Sequence, residues 1–209
     1  MTTGAGRQLA AQHSHSLEGW YAHVPGLTVV APATLEDARG MLWSAIEDPD
    51  PVIIVEHGGR YGVQGELADD AAAVPLTGDA VRRTGSDVTV IASGGTVPKA
   101  LAAGEELARL GIAAEVIDLR ALRPLDTATI LCSVAGTHHA VVVDEGWRTG
   151  GLSAELAATI AEGAFHDLDA AVARVCSAEV PIPYAAHLEQ HALPQVGDIV
   201  RAAQRVLGY

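Results

Sequence analysis

The sequence predicts an α/β protein built on a mainly parallel sheet, and three observations carry that reading. Short, continuously apolar runs recur along the chain: "LTVVA" at 27–31, "VIIVE" at 52–56, "DVTVIA" at 87–92, "AAEVID" at 113–118, "HAVVVD" at 139–144 and "AVARVC" at 171–176. Strands this apolar are buried on both faces, as parallel strands covered by helices are. Between them lie segments whose apolar residues fall three and four apart, the spacing of an amphipathic helix. Residues 58–86, rich in Gly, Asp and Ala without a sustained period, divide this alternation into two parts.

Each element has a local reason. "SLEGWYAH" is a short mixed helix preceding the first strand. Leu35, Ala38, Leu42 and Ala45 form a stripe predicted to bury one face of the next helix. Thr34 and Asp37 make a capping box at its start, and Asp48-Pro49-Asp50-Pro51 stops it. In the second part, Val97, Leu101, Gly104 and Ala108 mark a helix, and Asp126 caps a shorter one. A glycine pair leads into the helix of Leu152, Leu156 and Ile160, and "VGDIVRAAQRVL" (196–207) closes the chain as an amphipathic helix. The second part can complete a domain with its four strands, but the first has only two. Two parallel strands leave edges and apolar faces unpaired, so something else is expected to complete that sheet.

The chain has 209 residues, with 13 basic against 26 acidic side chains and a formal charge of −13. That balance excludes nucleic-acid and anionic-membrane partners, which need a basic footprint. No apolar run approaches the ~18 residues of a membrane span, and the amino terminus lacks a signal-peptide pattern. Cys132 and Cys176 lie far apart in apolar stretches, which predicts buried, reduced thiols and a cytoplasmic protein.

The stretch "QHSHS" (12–16) is the first candidate for chemistry. A Ser-His nucleophilic pair needs an orienting carboxylate and an oxyanion hole that local sequence does not show. His13 and His15 as metal ligands lack a third partner at suitable spacing. Surface or capping histidines are the plain alternative. "IASGGTVPKA" departs from G-x-G-x-x-G spacing and reads as tight strand-to-helix packing. Gly150-Gly151 enters a helix and could offer amides to an anion or a partner chain. His187 and His191 lie in a proline-crowded segment ill suited to zinc.

Five collinear stretches carry a family resemblance: "QHSHSLEGWYAHVPGLTVVAP", "AIEDPDPVIIVEH", "VIDLRALRPLD", "VVVDEGWRTGG" and "VPIPYAAHLEQHALPQ". Over about residues 4–208 the chain resembles the C-terminal two-thirds of the beta subunit of thiamine-diphosphate-dependent 2-oxo acid dehydrogenases, with transketolase a more distant relative. The resemblance implies an incomplete pyrimidine-binding α/β domain followed by a transketolase C-terminal-like domain with a mainly parallel sheet. Residues 1–60 would be the C-terminal part of a split pyrimidine-binding domain, 61–86 a linker and 87–209 the second domain.

The resemblance also implies roles. His13 matches the histidine that faces the thiamine, and His15, standing where the family usually has Gln, would neighbour the cofactor. An imidazole suits proton transfer there because it titrates near neutral pH. Ala45, through its carbonyl, with Asp48 and Asp50 matches a potassium-binding loop. The same residues serve equally as a plain helix stop, and both readings stand. The family's pyrimidine-binding glutamate falls upstream of these residues, so a chain supplying the missing N-terminal segment is expected. Mg2+ and the diphosphate would be held mainly by an alpha-type subunit.

Implied, then, is a subunit of a hetero-oligomer that decarboxylates a 2-oxo acid and transfers the acyl unit to a lipoyl carrier of an acyltransferase. Two other readings stay open. One is transketolase-like transfer of a two-carbon ketol unit from a sugar phosphate to a carrier protein. The other is a non-catalytic assembly subunit. Expressed alone, the chain is expected to expose an apolar patch and self-associate.

Overall fold

A computed structural model of the chain describes residues 1–68 and 72–209. In order these form β1 (Thr2–Thr3), α1 (Ala11–Ser14), α2 (Glu18–Ala22), β2 (Thr28–Val30), α3 (Leu35–Glu47), β3 (Val52–Ile54) and β4 (Glu56–His57). There follow β5 (Ala80–Arg83), β6 (Val88–Ala92), α4 (Val97–Arg109), β7 (Ala114–Asp118), β8 (Ala121–Arg123) and α5 (Thr127–Thr137). The chain ends with β9 (Ala140–Trp147), α6 (Leu152–Gly163), β10 (Ala173–Ser177), α7 (Ala186–Ala192) and α8 (Val196–Val206). None of these helices is long and apolar enough to cross a membrane.

The main sheet has five strands in the order β10-β9-β6-β7-β5, all parallel except the β5 edge. Alternation along β6 explains why both faces are covered. Val88, Val90 and Ala92 pack under α4 and α8 with Leu107, Ile199 and Ala203. Ile91 points the other way, onto Ile130, Leu156 and Ile160 of α5 and α6. Full burial of each such Val, Leu or Ile side chain stabilises by about 1.5–3 kcal/mol. The one polar inward residue, Thr89, is satisfied by the Ser133 and Thr137 hydroxyls, each at 2.7 Å.

The smaller sheet is completed from within the chain. β2 pairs with β3 in parallel, and its other edge takes β8 antiparallel, with Val29 opposite Arg123 and Val30 opposite Ala121. β1 and β4 form a separate parallel pair. Thus β8, from the second part of the sequence, closes one edge of this sheet without an outside strand. The stretch 61–86 likewise contributes β5, which pairs with β7.

Arg82 of β5 ties the main sheet to α3. Its Nε and Nη2 donate to buried Asp118 Oδ2 at 3.0 and 2.9 Å, and Nη2 also bonds Asp37 of α3. Arg120 approaches Asp37 at 3.5 Å. Burial pushes the Asp118 carboxyl up, and the Arg82 charge opposes it.

Two expectations are corrected. α3 begins as predicted, with Thr34 Oγ1 accepting from Asp37 N–H at 3.0 Å, but its buried residues are Asp37, Gly40 and Met41. Leu42, Trp43 and Ile46 are exposed, at 50%, 60% and 73%, because no described element lies over that side of the helix. Cys132 is exposed rather than buried, since α5 turns it away from the sheet, and Cys176 is partly buried.

Candidate active site

Parallel strands deliver functional side chains at their carboxyl ends. In an open α/β sheet, ligands bind where successive strands depart in opposite directions. Here β6 is followed by β7 on one side, while β9 and β10 lie on the other, so that point falls between β6 and β9. A cavity of about 60 Å³ opens there, lined by Ser16, Glu18, His57, Gly95, Asp144 and Glu145 among others.

His57 ends β4 and Glu145 stands near the end of β9. The imidazole Nε2 lies 3.0 Å from each carboxylate oxygen. Glu145 Oε1 also accepts from Ala5 N–H at 2.8 Å and from Ser16 Oγ at 3.2 Å. Burial works against this charge, but His57 and the Ala5 amide outweigh it and hold the carboxyl below its usual range. The ring sits in a slot of backbone: a Cβ at Gly4 or Gly95 would overlap it. Its Nδ1 is buried without a hydrogen-bond partner among the described residues.

Two further carboxyls face the same space. Asp144 accepts from Gly146 N–H at 2.8 Å and Ser153 N–H at 2.9 Å, yet burial pushes it up. The Ser153 amide belongs to the first turn of α6, so Asp144 already occupies the helix entry that Gly150 and Gly151 open. Glu18 is pushed up to about 7, first by burial and then by Asp144 and Glu145.

The histidine cluster flanks this site. Ala10 enters α1 at φ 59, and His13 interrupts it at φ −135, ψ 15, which leaves the His13 ring exposed while Ser14 is buried. His15 packs edge-on against Trp147 with ring centroids 4.7 Å apart, and Ile182 N–H donates to its Nε2 at 3.4 Å. Burial lowers the His15 imidazole. The turn bearing His13 is therefore fixed on its carboxyl side by packing onto the second domain.

Ala45, Asp48 and Asp50 lie at the far end of α3. Asp48 Oδ1 accepts from Asp50 N–H at 2.8 Å, the turn that a helix stop requires. Among the described residues no three His, Cys, Asp or Glu side chains gather in a way that could hold a metal ion. His187 and His191 are exposed on α7, with His191 Nδ1 on the His187 carbonyl at 2.6 Å.

His57, Glu18 and Glu145 were not singled out by sequence reasoning. The available signal was positional: "VIIVEH" and "VVVDEG" each end an apolar strand in ionisable residues. That is where α/β folds place their sites.

Fold and cavity together define a mainly parallel α/β protein with a titratable site at the carboxyl edge of its main sheet. Residues 1–64 match the family described as transketolase, pyrimidine binding domain, and residues 78–199 match transketolase, C-terminal domain. The chain belongs to the transketolase family. Among curated relatives, the mitochondrial pyruvate dehydrogenase E1 component subunit beta of Drosophila melanogaster is 50% identical over 210 residues, covering 98% of this chain and 58% of its own length. The Arabidopsis thaliana subunit beta-1 is 48% identical over 97% of this chain and 57% of its own length. The Bos taurus subunit is 44% identical over 98% and 58%. The chain thus spans between half and two-thirds of the relatives it matches. A solved structure described as a split gene transketolase, inactive beta4 tetramer, superposes with a TM-score of 0.80 at 28% identity, covering 98% of this chain and 65% of that one.

These relatives correct the expected location. The three are named mitochondrial, which does not support a cytoplasmic assignment. Reduced cysteines separate reducing from oxidising compartments but do not separate one reducing compartment from another.

Proposed function

We propose that this chain serves in a thiamine-diphosphate-dependent enzyme that decarboxylates a 2-oxo acid and passes the acyl group to a lipoyl carrier. The observation that carries this reading is His13, an exposed imidazole on a turn that is itself anchored. Similarity to pyruvate dehydrogenase E1 beta subunits supports the substrate class. The cofactor, when bound, supplies the stabilisation of a carbanion.

The residues present fit one wall of such a site and not the whole of it. The 60 Å³ cavity is far below the ~300 Å³ at which small-molecule sites begin. Mg2+ and diphosphate would be held on an alpha-type partner. In this account His13 donates a proton from a ring nitrogen toward the oxygen that gains charge, or toward the sulfur of the acceptor. His57 and Glu145 hold the adjoining strands in place. K+ at Ala45, Asp48 and Asp50 remains part of the proposal on the strength of resemblance alone.

Ketol transfer from a sugar phosphate is a second reading, favoured by the superposition on a split transketolase. One experiment separates the readings. The complex co-purified with an alpha-type companion is assayed with pyruvate, branched 2-oxo acids and a ketose phosphate, for wild type and His13→Ala. Loss of at least about 100-fold in kcat on a 2-oxo acid, with assembly intact, is expected. Turnover of the ketose phosphate alone selects the second reading. Full activity in the variant assigns the chain an assembly role.

A further inference from the structure

Cations are scarce in this molecule, and their distribution is uneven. Arg148, Arg174, Arg201 and Arg205 are four of the chain's 13 basic residues, yet they line one cavity of about 440 Å³ at the β10 side of the main sheet. The chain carries a formal charge of −13, so most of its surface repels anions while this hollow gathers positive charge.

Few of these charges are used by the protein. Arg201 pairs with Asp198, one turn before it on α8. Arg148 Nη1 donates to the Arg174 carbonyl at 3.1 Å, and Arg174 Nη1 donates back to the Arg148 carbonyl at 3.0 Å. This reciprocal clasp orients two guanidinium groups while spending one donor of the five that each carries. No described carboxylate forms an ion pair with Arg148, Arg174 or Arg205. The other acid of the cavity, Glu179, is turned to the Thr149 amide at 2.9 Å. Three guanidinium groups, Arg148, Arg174 and Arg205, thus remain without an ion-pair partner among the described residues in a concave site.

We propose that this cavity binds a small multivalent phosphate: a polyphosphate or a phosphorylated metabolite bearing at least two negative charges. Planar guanidinium forks match phosphate oxygens in pairs. The volume falls within the ~300–1,000 Å³ of small-molecule sites, which favours a compact anion over an acidic protein surface. The site is separate from the chemistry assigned to His13 and does not depend on it. Arg148 nevertheless shares a loop with Trp147 and Thr149, which line the His57–Glu145 cavity. Occupancy would therefore bear on the backbone of that site.

The test is calorimetric titration of the full chain with pyrophosphate and with a nucleoside triphosphate, in phosphate-free buffer containing EDTA. EDTA suppresses magnesium-dependent diphosphate binding elsewhere. Saturable binding at one site is expected, weakened about tenfold or more in Arg205→Gln and in Arg148→Gln, and unchanged in Arg109→Gln. Arg205 is exposed and makes no ion pair, so its variant keeps the test valid should loss of the clasp unfold Arg148→Gln. Absence of binding at millimolar ligand, or equal loss in all three variants, overturns the proposal. So does tighter binding of polyglutamate than of pyrophosphate, which would assign the cavity to an acidic protein segment.

Discussion

His57 Nε2 lies 3.0 Å from both carboxylate oxygens of Glu145, and this contact joins strands 88 residues apart in sequence. Both side chains are largely enclosed, at 11% and 8% exposure, so the pair is not screened as a surface ion pair would be. Removing one partner of such a pair leaves a buried charge or donor unanswered, at a cost of about 3–5 kcal/mol. Urea unfolding of Glu145→Gln is expected to show a loss near the lower end of that range, since the amide still accepts one hydrogen bond. A double-mutant cycle with His57→Gln should return a coupling of at least about 1 kcal/mol. Additive single effects would mean that the contact contributes packing only.

Asp79 gives a pH-dependent prediction. Its two carboxylate oxygens are buried without partners among the described residues. Burial first, then the charges of Asp126 and Asp118, push it up to about 8 against the opposing Arg120. The folded protein therefore holds a proton that the unfolded chain releases near pH 4. This contribution to stability is whole below that pH and is lost as pH rises through about 8. Asp79→Asn keeps the neutral form at every pH. Its stability relative to wild type should climb between pH 5 and 9, reaching about 1–3 kcal/mol after allowance for partial exposure. Parallel stability–pH curves for the two proteins would refute the assignment.

How much of this was legible in the sequence depended on what each residue needed. The parallel strands were legible because burial on both faces forces continuous apolar runs, as in "VTVIA" and "AVVV". β5 and β8 were not, because "AVRR" and "ALR" are edge pieces of four and three residues with charged side chains and no period. The α3 stripe was misplaced because periodicity reports an apolar face without saying what covers it. The role proposed for His13 comes only through family resemblance. His57 and Glu145 acquire meaning from the meeting of two strand ends, which local sequence does not encode.

The uncovered face of α3 has a measurable consequence. Trp43 and Ile46 lie three apart on one side of the helix and are 60% and 73% exposed. Adjacent exposed apolar side chains of this size promote association. Trp43→Glu with Ile46→Lys should shift the purified chain toward monomer in sedimentation velocity while moving Tm by no more than a few degrees, since neither residue is buried. Unchanged association would place the sticky surface elsewhere.

Gly95 tests whether the His57 slot is as rigid as it looks. The turn at 94–96 is fixed by Thr96, whose hydroxyl donates to the Ser93 carbonyl at 2.8 Å while accepting from the Ser93 amide at 3.1 Å. A methyl group at Gly95 would overlap the His57 ring. With the turn held and the ring tied to Glu145, neither side can yield cheaply, so Gly95→Ala should destabilise by about 1–3 kcal/mol. The same change in a His57→Ala background no longer meets the ring, and there it should alter stability by less than about 0.5 kcal/mol. Backbone conformation is common to both backgrounds, so only the ring can account for a difference. Equal penalties in the two backgrounds would show that the strain lies in the turn, and that His57 is free to shift away from Glu145.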